Sequence, residues 1–244
     1  MNYISLGYFC SVASELEKLG LRTESSPFDW VISDLEGVIS NIQNCFVDYL
    51  DYNFLSQEVY NHAIYTNTKY NISFYHDFDK YASLKEQLPQ VLEKYNRRIE
   101  RFYKSISSPT LFIRYISDEE TVHGISKELL YIEENYEQIL KSLKSFNQCN
   151  DILFIANDGV SSSKLNIYHV SKDDNDTVAR NPIYKNPYLY KKFSNIEIPN
   201  KQENIERYLK KEKYKKSIYY RAKKQIVYMI KKICLKEYIH EKQQ

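Results

Sequence analysis

This chain of 244 residues has few glycines, a single tryptophan and no closely spaced pair of cysteines. It has five glycines and one tryptophan, and its four cysteines are Cys10, Cys45, Cys149 and Cys234. No two of them form a C-x-x-C pair, which excludes zinc-ribbon and thioredoxin-like sites. Four cysteines are also too few for a disulfide framework in a chain of this size. We therefore expect free thiols in a reducing cytoplasm, and neither a metal nor another cofactor.

Long apolar runs are also absent. No segment reaches the roughly 18 consecutive apolar residues that a membrane span needs, and the first residues show no basic or apolar region of a signal peptide. Hydrophobic residues make up 43% of the chain and charged residues 27%, which is typical of a globular protein. The composition therefore predicts a soluble, cytoplasmic protein.

The opening of the chain predicts the first unit of an α/β fold. Residues 3–6 have the character of a short strand, and Gly7 permits a tight turn after it. Val12 and Leu16 then follow at helical spacing, and Gly20 is well placed to end the helix. A strand, a glycine turn and a helix begin many α/β folds.

Two longer apolar runs, at residues 110–115 and 151–155, flank a helical segment from about residue 127 to 146. Strands that are apolar throughout indicate parallel pairing in a sheet covered on both faces. A hairpin is predicted within residues 60–76. We therefore predict an α/β fold, a layered sheet with helices on both faces plus a C-terminal basic helical tail. A papain-like α+β fold is the alternative.

The chain divides into three parts. Residues 1–170 contain the predicted α/β domain, and residues 171–200 are polar and contain three prolines, which predicts a loop or linker. Residues 201–244 contain 14 basic and 5 acidic residues, whereas the preceding residues contain 20 and 27. The last segment is therefore a basic tail on an acidic body.

The basic tail predicts a partner of its own. Ile226, Met229 and Ile230 lie among its lysines, a pattern typical of an amphipathic basic helix in peripheral contact with an anionic membrane, here the inner face. The alternative is a helix packed on the domain with its lysines in water. Nucleic acid is the least favoured partner, because no recognition motif accompanies the charge.

Cys10 is the candidate nucleophile. It stands at the first turn of the predicted helix, where free backbone N–H groups and the helix dipole stabilise a thiolate and lower the pKa of the thiol. The same N–H groups can hold an oxyanion during acyl transfer. The alternative is a small buried side chain without a chemical role, which is how most free cysteines behave.

A thiolate nucleophile needs a base within hydrogen-bond reach, and His76 is the candidate. It ends an apolar run and is followed by Asp77, which can fix its tautomer. Asp29 is the alternative partner for the base, and Trp30 beside it is a candidate pocket wall. The competing interpretation makes His76 a surface residue and uses Trp30 to anchor a loop in the core.

Three arginines are candidate substrate-binding residues. Arg98 and Arg101 lie in a charged helix predicted over residues 83–105, and Arg114 interrupts an apolar strand, where an unpaired charge is costly. In a cleft they can bind a carboxylate or phosphate; alternatively the helix face is simply solvated. For a buried partner of Arg114 the candidates are Asp29, Asp77 and Glu100.

The sequence also resembles a bacterial family of unknown function that is labelled as papain-like cysteine peptidases. Ordered blocks over roughly residues 1–170 carry the resemblance: Ser5-Leu6-Gly7-Tyr8-Phe9-Cys10, Leu21-Arg22 with Ser26-Pro27-Phe28-Asp29-Trp30, His76-Asp77-Phe78, Arg97-Arg98-Ile99-Glu100-Arg101-Phe102 and Leu111-Phe112-Ile113-Arg114. The resemblance implies Cys10 as nucleophile and His76 as base. It also implies an association with surface-polysaccharide gene clusters.

Three functions stay open at this point. In the first, the protein is a thiol-dependent hydrolase or acyl transferase that uses Cys10 and His76. In the second, it is a glycan-assembly protein with an arginine-lined anion pocket and a structural Cys10. The third is a non-enzymatic scaffold that acts at a membrane surface through its tail. The substrate class is open between a peptide and a glycan-related molecule.

Overall fold

The structure is a computed structural model that describes residues 1–61, 63–172 and 180–241, with side chains described as far as residue 229. The strands are β1 (Asn2–Ser5), β2 (Val31–Ser33), β3 (Leu55–Gln57), β4 (Tyr65–Asn67), β5 (Ile72–Phe74), β6 (Thr110–Tyr115), β7 (Thr121–Val122), β8 (Ile125–Ser126), β9 (Asp151–Asn157) and β10 (Ile167–Val170). The helices are α1 (Ser11–Lys18), α2 (Leu35–Gln43), α3 (Leu84–Ile106), α4 (Lys127–Lys144), α5 (Pro182–Lys185), α6 (Pro187–Ser194), α7 (Lys201–Lys216) and α8 (Ile218–Glu241).

Four strands form a parallel sheet in the order β1-β6-β9-β10. Ser5 of β1 lies opposite Ile113 of β6, and Tyr115 of β6 lies opposite Ile155 of β9. Strands β6 and β9 are buried along nearly their whole length, which is why their sequences are apolar throughout rather than alternating. The two predicted apolar strands and their parallel pairing are therefore confirmed.

Helices cover both faces of this sheet. On one face, Ile113 and Ile155 pack with residues of α1, α5 and α6. On the other face, Phe112 and Phe154 belong to a larger core with residues of α2, α3 and α4. Adjacent residues of a strand point to opposite faces, so each central strand contributes to both cores. The predicted layered α/β fold is confirmed, and this mixed architecture is also consistent with a papain-like α+β domain.

A second sheet is antiparallel and has the order β2-β5-β4-β3. Its centre is the hairpin of β4 and β5, as predicted within residues 60–76, and Val31 of β2 lies opposite Phe74 of β5. Val31 and Phe74 are buried and join the larger core. This sheet fixes the residues that flank β2 and β5 at one edge, and Trp30 and His76 are among them.

The segment 171–200 differs from the predicted loop. Within its described part, Ile183, Leu189 and Phe193 of α5 and α6 are fully buried against the parallel sheet. Pro182 and Pro187 stand at the first position of these two helices, where a proline has a suitable φ and lacks only an N–H that would be unpaired anyway. The prolines therefore start helices instead of breaking them.

The basic tail forms α7 and α8, and among the described side chains only those of α7 form hydrogen bonds to the domain. Asn204 of α7 donates from Nδ2 to the carbonyl of Gly20 at 3.0 Å. In α8 the four consecutive residues 226–229 are apolar and exposed, and with 3.6 residues per turn they face every side of the helix. These four residues therefore do not form a single apolar face, and Ile230 lies outside the described side chains. No helix among the described residues is both long and apolar enough to cross a membrane.

Candidate functional site

Cys10 lies where the sequence predicts it, directly after β1 at the first turn of α1. It is the N-cap residue of that helix, with φ −70° and ψ −9°. Gly7 makes the preceding turn with φ +81°, and a Cβ there would stand 2.8 Å from Ser33 Oγ and 3.1 Å from the Phe28 carbonyl oxygen. The turn thus needs both the left-handed backbone and the missing side chain of glycine.

Burial has a larger effect on the pKa of the Cys10 thiol than the helix N-terminus has. The free thiol is half-buried, and the loss of hydration destabilises the thiolate, which raises the pKa of Cys10 above its ordinary value. A hydrogen bond with the residue's own backbone lowers the pKa by a smaller amount. The predicted lowering of the pKa is therefore wrong for the free protein.

His76 lies beside Trp30. The two rings meet edge to face with their centroids 6.3 Å apart. Trp30 precedes β2 and His76 follows β5, and the antiparallel pairing of Val31 with Phe74 brings these two ends together. His76 is exposed, so the imidazole can be reached from solvent, and Trp30 is half-buried beneath it.

Asp29 holds an arginine instead of the histidine. Its carboxylate accepts hydrogen bonds from Arg22 Nη1 and from the backbone N–H of Ser26 at 2.9 Å. Arg22 also pairs with Glu17 at 2.7 Å, and its guanidinium lies 5.3 Å from the centre of the Trp30 ring. Burial raises the pKa of Asp29, and the nearby Arg22 opposes that shift. Asp29 therefore supports Trp30 through Arg22.

Asp77 is also engaged away from His76. Its side chain is 3% exposed and pairs with Lys94, and it accepts a hydrogen bond of 2.8 Å from the Tyr95 hydroxyl. Both of the carboxylates that the sequence suggests as partners of the base thus have other partners. The structure places Trp30, rather than a carboxylate, against the imidazole.

Cys10 and His76 are not joined directly. The pKa of Cys10 is shifted by burial and by its own backbone. Within the described part of the chain, no hydrogen bond links the two side chains: Cys10 is a free thiol, and the His76 ring contacts Trp30 and Tyr75. Glu17 follows Cys10 at i+7 on the same face of α1 and pairs with Arg22. Arg22, which lies over the Trp30 ring, is therefore tied to α1 two helical turns beyond Cys10.

Arg98 and Arg101 point to different environments. The Arg98 guanidinium lies over the Tyr95 ring at 4.9 Å, and its Nη1 is buried without a hydrogen-bond partner, as is Asp29 Oδ1. Arg101 is 41% exposed and lies 3.8 Å from Glu24. It lines a cavity of only about 30 Å³ with Arg22, close to the volume of one water molecule. This cavity is too small for a phosphate or a sugar.

Arg114 is the centre of a buried ion pair, and its partner is none of the three predicted carboxylates. It is fully buried and donates to Glu128 Oε1 at 2.6 Å, to the Leu6 carbonyl at 2.8 Å and to Ser33. The other oxygen of Glu128 accepts the backbone N–H of Ser117 at 2.7 Å. The donors of Arg114 are thus engaged inside the protein, and the predicted role in substrate binding is corrected to a structural one.

For two residues of these networks, Arg22 and Glu128, no local pattern in the sequence indicates the partner. Arg22 lies seven positions before Asp29 in a stretch without periodicity, so nothing local pairs them. Glu128 occupies the first turn of α4, where an acidic residue is ordinary because it suits the helix dipole. Its burial is visible only once α4 is placed beside β6. Among the described residues, no group of three or more His, Cys, Asp and Glu side chains is arranged to hold a metal ion.

The fold and the half-buried thiol define an α/β protein with a candidate nucleophile at the start of its first helix, and comparison with known proteins gives its family. Over residues 1–149 the sequence matches the family described as "Putative papain-like cysteine peptidase (DUF1796)". This match covers more than half of the chain, which therefore belongs to that family.

A relative of unknown function comes from a virus. An uncharacterized protein of Acanthamoeba polyphaga mimivirus is 32% identical over 176 residues, which make up 64% of this chain and 77% of the relative. The bacterial setting that the resemblance implies gains no support from this relative. No solved structure matches the chain.

Proposed function

We propose that the protein is a thiol-dependent hydrolase or acyl transferase with Cys10 as nucleophile and His76 as general base. The observation that carries the proposal is the position of Cys10, a half-buried free thiol at the N-cap of α1. A nucleophile at this place has its substrate at the carboxyl edge of a parallel sheet, where ligands of α/β proteins bind. The description of the family supports the same chemistry.

In the proposed reaction, Cys10 Sγ forms a bond to the acyl carbon while the thiol proton moves to the His76 ring. The bond from the acyl carbon to its amine or alcohol then breaks, and the leaving group takes the proton from His76. Water, or another acceptor in a transferase, attacks the resulting thioester and restores the thiol. The first-turn N–H groups of α1 are the donors for the oxyanion. The Gly7 N–H donates to Ser5 Oγ at 3.2 Å and is a weaker candidate.

The proposal requires Cys10 and His76 to approach each other when a substrate binds. The raised pKa of Cys10 leaves the thiol protonated near neutral pH in the free protein. Catalytic hydrogen bonds of unliganded enzymes are often long and tighten in the complex. His76 is exposed and lies edge-on to Trp30, so Trp30 is the proposed positioning residue. Asp29 acts on it through Arg22.

The test is covalent labelling of a variant in which Cys45, Cys149 and Cys234 are replaced by Ser, so that Cys10 is the sole thiol. Blocked aminoacyl chloromethyl ketones with different side chains serve as probes, and intact-protein mass spectrometry measures the labelling rate. We expect His76→Ala to slow labelling by about 100-fold, because a positioned general base contributes at least that factor.

The exposed His123 supplies the matched control. His123→Ala should label at the unmodified rate. Equal labelling rates with and without His76 would remove the proposed base, and labelling of Cys10 only after unfolding would remove the proposed nucleophile.

The alternative of a glycan-assembly protein with an arginine-lined pocket has weaker support. Arg114 is engaged by Glu128, and the cavity beside Arg101 is close to the size of one water. A bacterial surface-polysaccharide role therefore rests on the resemblance alone. The free thiols of Cys10, Cys45 and Cys149 favour a reducing compartment such as the cytoplasm.

A peripheral membrane contact is proposed separately for α8, where Arg221, Lys223 and Lys224 precede the exposed apolar residues 226–229. Basic residues near an anionic bilayer each contribute about 1 kcal/mol. Sedimentation with vesicles containing phosphatidylserine at low salt should retain the protein. Replacing the three basic residues by Gln should release it, and no retention of the unmodified protein would end this proposal.

A further inference from the structure

A cavity of about 190 Å³ lies at the carboxyl edge of the parallel sheet. Tyr8, after β1, and Ser117, after β6, line it together with residues at the starts of α2 and α4. None of the arginines discussed above lines it. Cys10 does not line the cavity, but its Cα lies within about 7 Å of the Cα of the lining residue Tyr8, because the two residues are only two positions apart in the chain.

The walls of this cavity are apolar and its charged groups are mostly acidic. Tyr8, Ile32, Leu35 and Tyr131 provide the apolar surface. The acidic lining residues are Asp34, Glu36, Glu119, Glu120 and Glu128, and the single lysine or arginine among the lining residues is Lys127.

Two of the five carboxylates have cationic partners and three do not. Glu128 pairs with Arg114 at 2.6 Å, and Glu120 pairs with Lys127 at 2.7 Å. Asp34 accepts a hydrogen bond from the amide of Asn71, which leaves its charge in place. Among the described residues, Glu36 and Glu119 form no ion pair. The cavity therefore carries an excess of negative charge.

The negative charge of the cavity raises the pKa values of Lys127 and Tyr131. A hydrogen bond to Glu120 raises the pKa of Lys127 above its ordinary value, and the charges of Asp34 and Glu36 raise it further. Burial raises the pKa of Tyr131, and Glu36 adds to that shift. The field inside the cavity therefore favours an additional cation and opposes a phosphate or carboxylate.

These features fit a cationic group on a short apolar stem. The acidic residues attract the charge, the apolar walls contact the stem, and the ring of Tyr131 can face a cation. Pockets for drug-sized ligands have about 300–1,000 Å³, so a cavity of about 190 Å³ suits a single side chain. We propose that this cavity binds the lysine or arginine side chain of a peptide substrate whose acyl group is presented to Cys10. The presentation of the acyl group to Cys10 rests on the proposed function of Cys10 as a nucleophile.

Direct binding tests the cavity without requiring a reaction. Isothermal titration calorimetry would use the full chain carrying Cys10→Ser, with N-acetyl-arginine amide, N-acetyl-lysine amide and N-acetyl-glutamate amide at low ionic strength. We expect the two cationic ligands to bind, with an affinity that falls as salt is added, and the glutamate ligand not to bind. Absence of binding by both cationic ligands would overturn the proposal.

Charge variants locate the binding site. Glu36 and Glu119 are exposed, so Glu36→Gln with Glu119→Gln should preserve the fold and weaken binding about tenfold, as removal of two partly screened ion pairs implies. The exposed Glu137 and Glu206 provide the control, since Glu137→Gln with Glu206→Gln makes the same change in net charge elsewhere. Equal weakening by both pairs of substitutions would contradict a site in this cavity.

A further arm distinguishes a peptide side chain from a free polyamine. Spermidine carries the same kind of cation without a peptide backbone, and tighter binding of spermidine than of N-acetyl-arginine amide would overturn the peptide assignment. The outcome is independent of the labelling experiment. Binding by the Cys10→Ser protein would support the cavity even if Cys10 proved unreactive, and labelling of Cys10 without cation binding would remove only the cavity.

Discussion

Two arginine-centred regions of the molecule differ in how completely their polar groups are satisfied. Around Arg114, the guanidinium donates to Glu128, Leu6 and Ser33, and the pair is shielded from solvent. Around Arg98, both Arg98 Nη1 and Asp29 Oδ1 are buried without hydrogen-bond partners. A saturated network joins β1, β2, β6 and α4 into one body and leaves Arg114 without a free donor for a ligand. The second region leaves polar atoms unpaired beside Trp30 and His76, and we expect it to contribute less to folding.

Disruption of the ion pair between Arg114 and Glu128 should cause the largest loss of stability. Glu128→Ala leaves the Arg114 charge buried and unpaired, and we expect a loss of about 3–5 kcal/mol in the free energy of unfolding. Arg114→Met with Glu128→Leu should be less destabilising than Glu128→Ala alone, because it leaves no unpaired charge. Urea unfolding monitored by circular dichroism measures both.

The exposed pair of Arg97 and Glu93 provides the control for that experiment. Glu93→Ala should cost less than about 1 kcal/mol, since an exposed ion pair is worth little. A similar cost for Glu128→Ala and Glu93→Ala would contradict the central role of the buried pair.

Glu15, a buried carboxyl group without an arginine partner, should give the next largest effect on stability, as a dependence on pH. Glu15 is buried and accepts the backbone N–H groups of Ile183 and Tyr184 at 2.9 and 2.7 Å. Burial raises the pKa of Glu15 from 4.5 to about 7, against the smaller lowering by those N–H groups. The folded state therefore binds this proton more tightly, so its stabilising effect is complete below about pH 4.5 and is lost as the pH rises through about 7.

The wild type should lose about 3 kcal/mol of stability between pH 4.5 and pH 8 relative to Glu15→Gln. The midpoint of urea unfolding at several pH values measures this difference, and Glu206→Gln on the surface is the control. Parallel pH profiles for the wild type and Glu15→Gln would refute the assignment.

The turn before Cys10 is expected to show an intermediate effect. Gly7 and Gly124 have nearly equal φ values of +81° and +80°, but a Cβ on Gly7 would crowd Ser33 and Phe28, whereas nothing lies within 4 Å of one on Gly124. Gly7→Ala should therefore cost about 1–3 kcal/mol more than Gly124→Ala, whose cost is limited to the left-handed backbone. Equal melting temperatures of the two variants would show that the turn at Gly7 can relax.

Substitution in the region around Arg98, where buried polar atoms are unpaired, should have the smallest effect on stability. Arg98→Met removes a buried N–H that has no partner and loses the contact with the Tyr95 ring, while Asp29 keeps its hydrogen bond to Arg22. We expect a change of about 1 kcal/mol or less in the free energy of unfolding. A loss comparable to that of Glu128→Ala would remove the distinction between the two regions.

The predictable part of the molecule is the part governed by local pattern. The first strand, the turn at Gly7 and the helix after Cys10 follow from neighbouring residues, and β6 and β9 follow from apolar runs that only a covered parallel sheet explains. Strand β2 has three residues, too few for a pattern, yet its pairing with β5 determines that Trp30 meets His76. The sequence places both residues in one site without indicating why they are close.

The sequence-based predictions are wrong where the same residue type is compatible with two different structural environments. Proline breaks a helix interior but suits the first helical position, so Pro182 and Pro187 are consistent with either a loop or α5 and α6. A helix N-terminus stabilises the Cys10 thiolate and burial destabilises it, and the balance depends on packing that no local pattern gives. Arg114 needs a buried carboxylate, and Glu128 meets that need only because α4 crosses back over β6.

The most direct test of the central claim compares two pH profiles for the alkylation of Cys10 as the sole thiol. Iodoacetamide reports on the free protein, and we expect a midpoint above the ordinary thiol pKa of about 8.5, because burial raises the pKa of Cys10. A blocked arginyl chloromethyl ketone reports on the complex, and if His76 takes the proton there, its profile should be half-maximal near neutral pH and should lose this feature in His76→Ala. The same high midpoint for both reagents, unchanged in His76→Ala, would contradict the account and leave Cys10 as a structural residue.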